Sequence, residues 1–196
     1  MRIRITTGSI GLIAAAAIAA AAGWFLTGQP QPVTNGYAAT IGKGGYRLTT
    51  TAGAPFTAAT LRGAPSVVFF GYTYCPDVCP TTLGDITQWQ EALGPRAGDL
   101  GIYFITVDPE RDTLDMLADY LSWSEGITGV AGDRAETDKA MESFAIYARR
   151  IGDGPDYTVD HTAYVMLFDR SGDFVGTIGY QEPEEQALPK LIRLLD

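Results

Sequence analysis

Hydrophobic and polar positions divide the chain into distinct pieces. Ile10 to Leu26 is an unbroken run of apolar residues and glycine. With Gly8, Ser9 and Thr27 it reaches about 20 residues, just enough to cross a bilayer as a helix. The following "TGQPQPVTNGYAATIGKGG" mixes Gly, Pro and Thr and predicts a flexible linker. "GYRLTTTAGAPFTAATLRG" then alternates short β-like runs with turn residues, which predicts a hairpin over roughly 45–60. "PSVVFFGY" (65–72) and "LGIYFITV" (100–107) are continuous β-branched and aromatic runs, the pattern of strands buried on both faces. Between them "PTTLGDITQWQEALGP" (80–95) predicts a helix. Pro80 suits its first turn, Leu83, Ile86, Trp89 and Leu93 form its apolar face, and Gly94-Pro95 ends it.

Beyond the turn "DPERDT", helical spacing predicts a helix over 114–124, and "ITGVAGD" reads as a short strand and loop. "AETDKAMESFAIYARRI" predicts a third helix over 135–151, and "GDGPDYTVD" a loop. "HTAYVMLFD" (161–169) and "FVGTIGY" (174–180) flank the turn "RSGD" and predict an antiparallel hairpin. "EPEEQALPKLIRLLD" closes the chain as an amphipathic helix, with Pro189 marking a break. The order β-α-β-α-β-α-β-β-α predicts an α/β domain: a thioredoxin-like fold with a central mixed sheet flanked by helices, an N-terminal hairpin, and a single membrane-anchor helix before it. The expected division is an anchor at 1–27, a linker at 28–44 and a folded domain at 45–196.

Charge sharpens this picture. Arg2 and Arg4 precede the apolar run, and no charge follows until Lys43, so the positive-inside rule exports the rest of the chain. Trp24 and Phe25 would lie at the far interface. Small residues near Ala21 fit a cleavable signal as the alternative, and no cysteine follows the run to carry a lipid. Each reading puts the domain on the non-cytoplasmic side, in the bacterial periplasm or, in a eukaryote, the mitochondrial intermembrane space. The formal charge is −9; without Arg2 and Arg4, 12 of the 14 Lys and Arg face 23 Asp and Glu, a net of −11. Such a chain is not built for nucleic acid, which needs clustered Lys and Arg. An acidic surface serves solubility, and it also suits a cationic or metal-bearing partner.

The two cysteines of the chain, Cys75 and Cys79, stand in "FFGYTYCPDVCPTT", where the first buried strand gives way to a helix. The helix dipole there favours thiolate. Their spacing is C-x-x-x-C, one residue longer than the usual redox C-x-x-C. Positions four apart share a face in a helical turn, so both sulfurs can aim at one point. Two thiolates suit a soft ion, and copper(I) accepts low coordination numbers. A structural disulfide is the alternative in an oxidising compartment. The one histidine, His161, lies 82 residues after Cys79 at the start of a predicted strand. It would complete a trigonal Cys2His site, although a lone histidine more often serves only as a hydrogen-bonding group. A closed zinc site would lack a fourth soft ligand. Asp77 and Asp108 are candidate oxygen donors, with helix capping and turn formation as their ordinary roles.

"FFGYTYCPDVCPTTL", "ITVDPERDT" and "VDHTAYVMLFDRSGDFVG" together resemble, in order, the three signature blocks of the Sco/SenC copper chaperones. The resemblance covers about residues 45–195, and the anchor matches the family's layout. It implies copper ligation by Cys75, Cys79 and His161, a place for Asp108 near the site, and delivery of copper to the dinuclear centre of cytochrome c oxidase. The implied partners are the copper-acceptor subunit of the oxidase, a copper donor and a thiol reductant. Tyr74 departs from the pattern, because many members carry histidine there; the imidazole of His161 is left to act alone. Two functions remain open: copper delivery, and reduction of the acceptor's cysteines by thiol–disulfide exchange. The sequence leaves copper(I) against copper(II) open.

Overall fold

Alternation along the most apolar strands organises the core. The computed structural model describes residue 36 and residues 38–196; the expected anchor and most of the expected linker lie outside the described residues. Strand β3 (Ser66–Gly71) is buried at all six positions. It pairs in parallel with β4 (Gly101–Thr106), and β4 pairs in parallel with β5 (Ile127–Ala131). Successive side chains point to opposite faces. On one face Phe69 meets Phe104 with ring centroids 5.8 Å apart, and Phe104 meets Tyr120 of α2 (Leu114–Leu121). Ile86 and Trp89 of α1 (Val78–Leu93) close over Val67 and Ile102 on this same face, beside Leu191 of α4 (Glu184–Leu195). On the other face Phe70 packs on Phe144, just after α3 (Arg134–Ser143), and Phe144 carries the contact on to Tyr46 and Phe168.

The remaining strands are antiparallel. β8 (Val165–Phe168) pairs with β3, and β9 (Phe174–Ile178) with β8. β1 (Leu48–Thr50) pairs with β5, and β2 (Pro55–Phe56) with β1. The result is a seven-stranded mixed sheet in the order β2-β1-β5-β4-β3-β8-β9, flanked by helices. The chain joins this core before residue 45: Ile41 is buried and the Gly42 N–H donates to the Ser143 carbonyl. Among the described residues no helix is long and apolar enough to cross a membrane.

The early hairpin and both buried strands lie where the pattern puts them, and the expected late hairpin forms as β8–β9 with a shorter first strand. Helix α1 begins at Val78, two residues before the expected start, and so takes in Cys79. Several expectations fail. The helix expected over 135–151 ends at Ser143; Ala145 takes a left-handed φ of 56°, and Ala148–Ile151 is strand β6. The strand expected over 161–169 begins only at Val165, as β8, and Thr158–His161 is β7, whose first three residues fall in the segment expected as a loop. β6 and β7 pair with each other as a separate two-stranded sheet. Pairing across the turn at 152–157 overrides the helical spacing of the segment, since propensity is a weak local preference that tertiary context outweighs. Pro189 breaks nothing. Burial of Ala187, Leu191 and Leu195 on either side of it holds α4 continuous despite the lost hydrogen bond.

Candidate metal centre

The chain leaves β3 at Gly71 and turns through Tyr72–Asp77 into α1. The Cys75 N–H donates to the Tyr72 carbonyl at 3.2 Å and closes this turn. Asp77 stands at the N-cap of α1, but its side chain makes no capping bond; its carbonyl accepts from the Thr81 N–H at 3.2 Å. Pro80 sits in the first turn, where a missing N–H leaves nothing unpaired. The Cys79 N–H donates to Cys75 Sγ at 3.3 Å, with Cys79 buried and Cys75 half-buried. Gly71 makes room for this arrangement. A Cβ there would lie 2.8 Å from Cys79 Sγ and 2.8 Å from Phe104 Cε2.

His161 ends β7 rather than opening a core strand. Its Nδ1–H donates to the Thr162 carbonyl at 2.8 Å. A carbonyl only accepts, so Nδ1 carries a proton and Nε2 is the nitrogen that faces the sulfurs. That Nε2 lies 3.5 Å from Cys79 Sγ, and the ring stands edge-on to Tyr72 with centroids 5.7 Å apart. One ligand atom each from Cys75, Cys79 and His161 falls within 4.8 Å of the other two. The two thiols differ in acidity. A hydrogen bond from Cys79 pulls the Cys75 pKa down to about 4 against the opposing effect of burial, helped by His161 and by the backbone N–H groups of Cys79 and Asp77. The Cys79 pKa is pushed up, by its hydrogen bond to Cys75 and by burial.

The turn 108–112 braces both sides of this cluster. Asp112, buried at the end of this turn, accepts from the Thr73 N–H at 3.0 Å, the Thr73 hydroxyl at 2.6 Å and the Thr106 hydroxyl at 2.6 Å. Burial nevertheless raises its pKa. Asp112 thereby holds the cysteine loop two residues before Cys75. Asp108 is only 1% exposed and does not join the cluster of sulfur and imidazole donors. Its carboxylate accepts from Arg111 Nε at 2.5 Å and from the Tyr157 hydroxyl, and its N–H donates to Thr106 Oγ1 at 2.9 Å. The exposed Asp77 carboxylate likewise lies outside the cluster.

The structure thus brings Cys75, Cys79 and His161 together and leaves Asp77 and Asp108 apart from them. Two sulfurs and one imidazole form a soft donor set with open positions, suited to a thiophilic ion of low coordination number. Sequence reading missed Gly71, Asp112, Arg111 and Tyr157. The signal for Asp112 is the second aspartate of "DPERD", which a helical turn sets beside the first; nothing local marks Tyr157.

Comparison with known proteins fits this geometry. Residues 34–196 match the family described as SCO1/SenC. The chain is 33% identical over 153 residues to mitochondrial protein SCO2 of Saccharomyces cerevisiae, covering 76% of this chain and 51% of that protein. It is 34% identical over 144 residues to the human mitochondrial protein SCO1 homolog, covering 69% and 47%. The chain therefore spans about half the length of these relatives. Among solved structures, copper-bound ScoI of Bradyrhizobium japonicum superposes with a TM-score of 0.71 at 42% identity, covering 77% of this chain and 98% of that one. Copper-bound yeast Sco1 gives 0.70 at 33% identity, covering 76% and 86%. By its sequence, its mixed sheet and the residues around its two cysteines, this chain belongs to the SCO1/SenC family.

Proposed function

We propose that the protein is a copper carrier that holds the ion through Cys75, Cys79 and His161 and hands it to the copper-acceptor subunit of cytochrome c oxidase for its dinuclear centre. The observation that carries this reading is the convergence of three soft donors within 4.8 Å. The copper in the structures of two relatives supports it. The Cys75 thiolate is a ready donor, Nε2 of His161 faces the sulfurs, and Cys79 gives up its proton on binding, so loading releases protons and weakens in acid. A three-donor site leaves a position through which an acceptor's cysteine enters. In this reading the thioredoxin-like domain (45–196) is tethered by the N-terminal run (1–27) through the linker (28–44), on the non-cytoplasmic side of a membrane.

The unequal thiols favour a second reading, reduction of the acceptor's disulfide. The half-buried Cys75 thiolate attacks one sulfur of that disulfide and releases the other as a thiolate. Cys79, once deprotonated, attacks Cys75 of the mixed disulfide. The acceptor leaves as a dithiol, and Cys75–Cys79 is left oxidised by two electrons.

Copper(I) titration of the reduced protein against a competing chelator decides between them. Carriage requires one copper per chain, weakened in His161→Ala and lost in Cys75→Ser and Cys79→Ser. A protein that retains no copper but reduces a disulfide peptide readily is a thiol reductase and not a carrier.

A further inference from the structure

The strands that carry the third donor are not part of the central sheet. β6 and β7 pair only with each other, and their residues are exposed or half-buried. Their base is tied to itself: the Thr162 N–H donates to the Tyr147 carbonyl at 2.9 Å, and the Tyr147 N–H to Thr162 Oγ1 at 3.0 Å. An isolated two-stranded hairpin is marginally stable in water. Ala148 and Val159 pack partly on the core and the His161 ring meets Phe69 and Tyr72, but the directional bonds that set its position come from side chains that reach across to it.

Those side chains come mainly from the turn 108–112. Arg111 Nη1 donates to the Tyr157 carbonyl at 2.9 Å and to the Pro155 carbonyl at 3.3 Å. Its guanidinium lies 3.6 Å from the centroid of the Tyr157 ring. The Tyr157 hydroxyl donates to Asp108, whose other oxygen holds Arg111 Nε at 2.5 Å. The same guanidinium lies over Tyr74, 4.6 Å from its centroid, in the cysteine loop. One further bond crosses directly, from the Val159 N–H to the Tyr72 hydroxyl at 3.1 Å. One arginine, seated on one buried carboxylate, thus touches the loop that carries the cysteines and the hairpin that carries the histidine.

We propose that Asp108, Arg111 and Tyr157 form a clasp that sets whether His161 reaches the two sulfurs, so that the third donor swings while the thiols stay fixed. With the clasp closed, the site offers two sulfurs and an imidazole. With it open, the site offers two sulfurs alone, a weaker holder from which an acceptor draws the ion. Asp108, Arg111 and Tyr157 are positioning residues, since none supplies an atom to the cluster. The proposal rests on the copper-carrying reading for its consequence, but the clasp itself is a property of the metal-free chain.

Two variants test it. Tyr157→Phe removes the hydroxyl that donates to Asp108 and keeps the ring beneath Arg111. Arg111→Lys keeps a positive charge beside Asp108 but loses the planar fork that reaches Asp108 through Nε and the hairpin carbonyls through Nη1. In the metal-free protein both variants are expected to speed amide hydrogen exchange across 148–151 and 158–161 while α1 and β3 exchange as in the wild type. In the same proteins copper(I) affinity is expected to fall roughly 10-fold, the scale of losing an outer-shell partner. Added to His161→Ala, either variant is expected to weaken binding no further, because the clasp acts through that residue. Unchanged exchange and affinity in both variants would overturn the clasp, as would an equal loss of affinity in the His161→Ala background. If the wild type itself holds no copper, the carrier reading falls. Hairpin exchange then decides the clasp alone, faster exchange upholding it and unchanged exchange overturning it.

Discussion

Cys75 and Cys79 leave the end of a strand buried at all six positions, whereas His161 ends a strand on which every residue is exposed or half-buried. The cysteine loop is held from beneath by Gly71 against Cys79 and Phe104, and from the side by Asp112. The histidine hairpin is held mainly by polar bonds to one buried carboxylate, one guanidinium and two tyrosines, with Ala148 and Val159 packed partly on the core. Close-packed apolar contact is non-directional and summed over many atoms. A few polar bonds are directional, and losing one removes a large share of the total. The difference teaches that a donor set can be part rigid and part adjustable, with the division visible in what each piece rests upon.

The largest effect should come from comparing a truncation on each side. Phe70→Ala empties a fully buried site behind β3 and should lower unfolding free energy by about 3–5 kcal/mol. Ile151→Ala removes a side chain that is 41% exposed on β6 and should stay within about 0.5 kcal/mol. Urea denaturation measures both. If Ile151→Ala lowered stability as much as Phe70→Ala, the hairpin would belong to the cooperative core and the contrast would collapse.

A smaller effect is expected where the cysteine loop meets the core. Gly71→Ala drives a Cβ to 2.8 Å from both Cys79 Sγ and a Phe104 ring carbon. Overpacking of this kind destabilises by about 1–3 kcal/mol. It should also weaken copper(I) binding in chelator competition, because the sulfur yields more easily than the ring. A variant with wild-type stability and affinity would show that the sulfur is not wedged and that the rigid half has slack.

The same contrast governs what was legible beforehand. "SVVFFG" and "GIYFIT" announce buried strands because burial on both faces leaves an unbroken apolar run, and "CPDVCP" carries both sulfurs within five residues. The hairpin carries no such mark. "ARRI" and "TVDH" have little apolar alternation, and their pairing is decided by the turn between them, so 148–151 passes for the end of a helix. His161 could be named as a candidate donor, as the one histidine of the chain and again from the family blocks, but placed only by seeing β7. The clasp was hidden for a further reason: Tyr157 and Asp108 are 49 positions apart, and neither belongs to a periodic pattern that would join them.

The last expected effect leaves the fold intact and asks which half of the site activates Cys75. Its pKa of about 4 arises first from Cys79, with His161 and then two backbone N–H groups adding to it while burial opposes. An unfolded thiol ionises near about 8.5. A thiol whose folded pKa is depressed contributes stability above the unfolded value and loses it as pH falls through the folded one. The metal-free, reduced protein should therefore lose this contribution between about pH 8.5 and about pH 4. Alkylation of Cys75 by iodoacetamide should follow the thiolate, with an inflection near pH 4 in place of one near about 8.5, while the buried Cys79 stays unmodified. In His161→Ala the inflection should rise only part of the way, because Cys79 and the backbone donors remain. An inflection that moved all the way to the unfolded value in that variant would mean that the hairpin, not the loop, makes the thiolate. The piece held mainly by a few polar bonds would then dominate the chemistry of the piece held by the core.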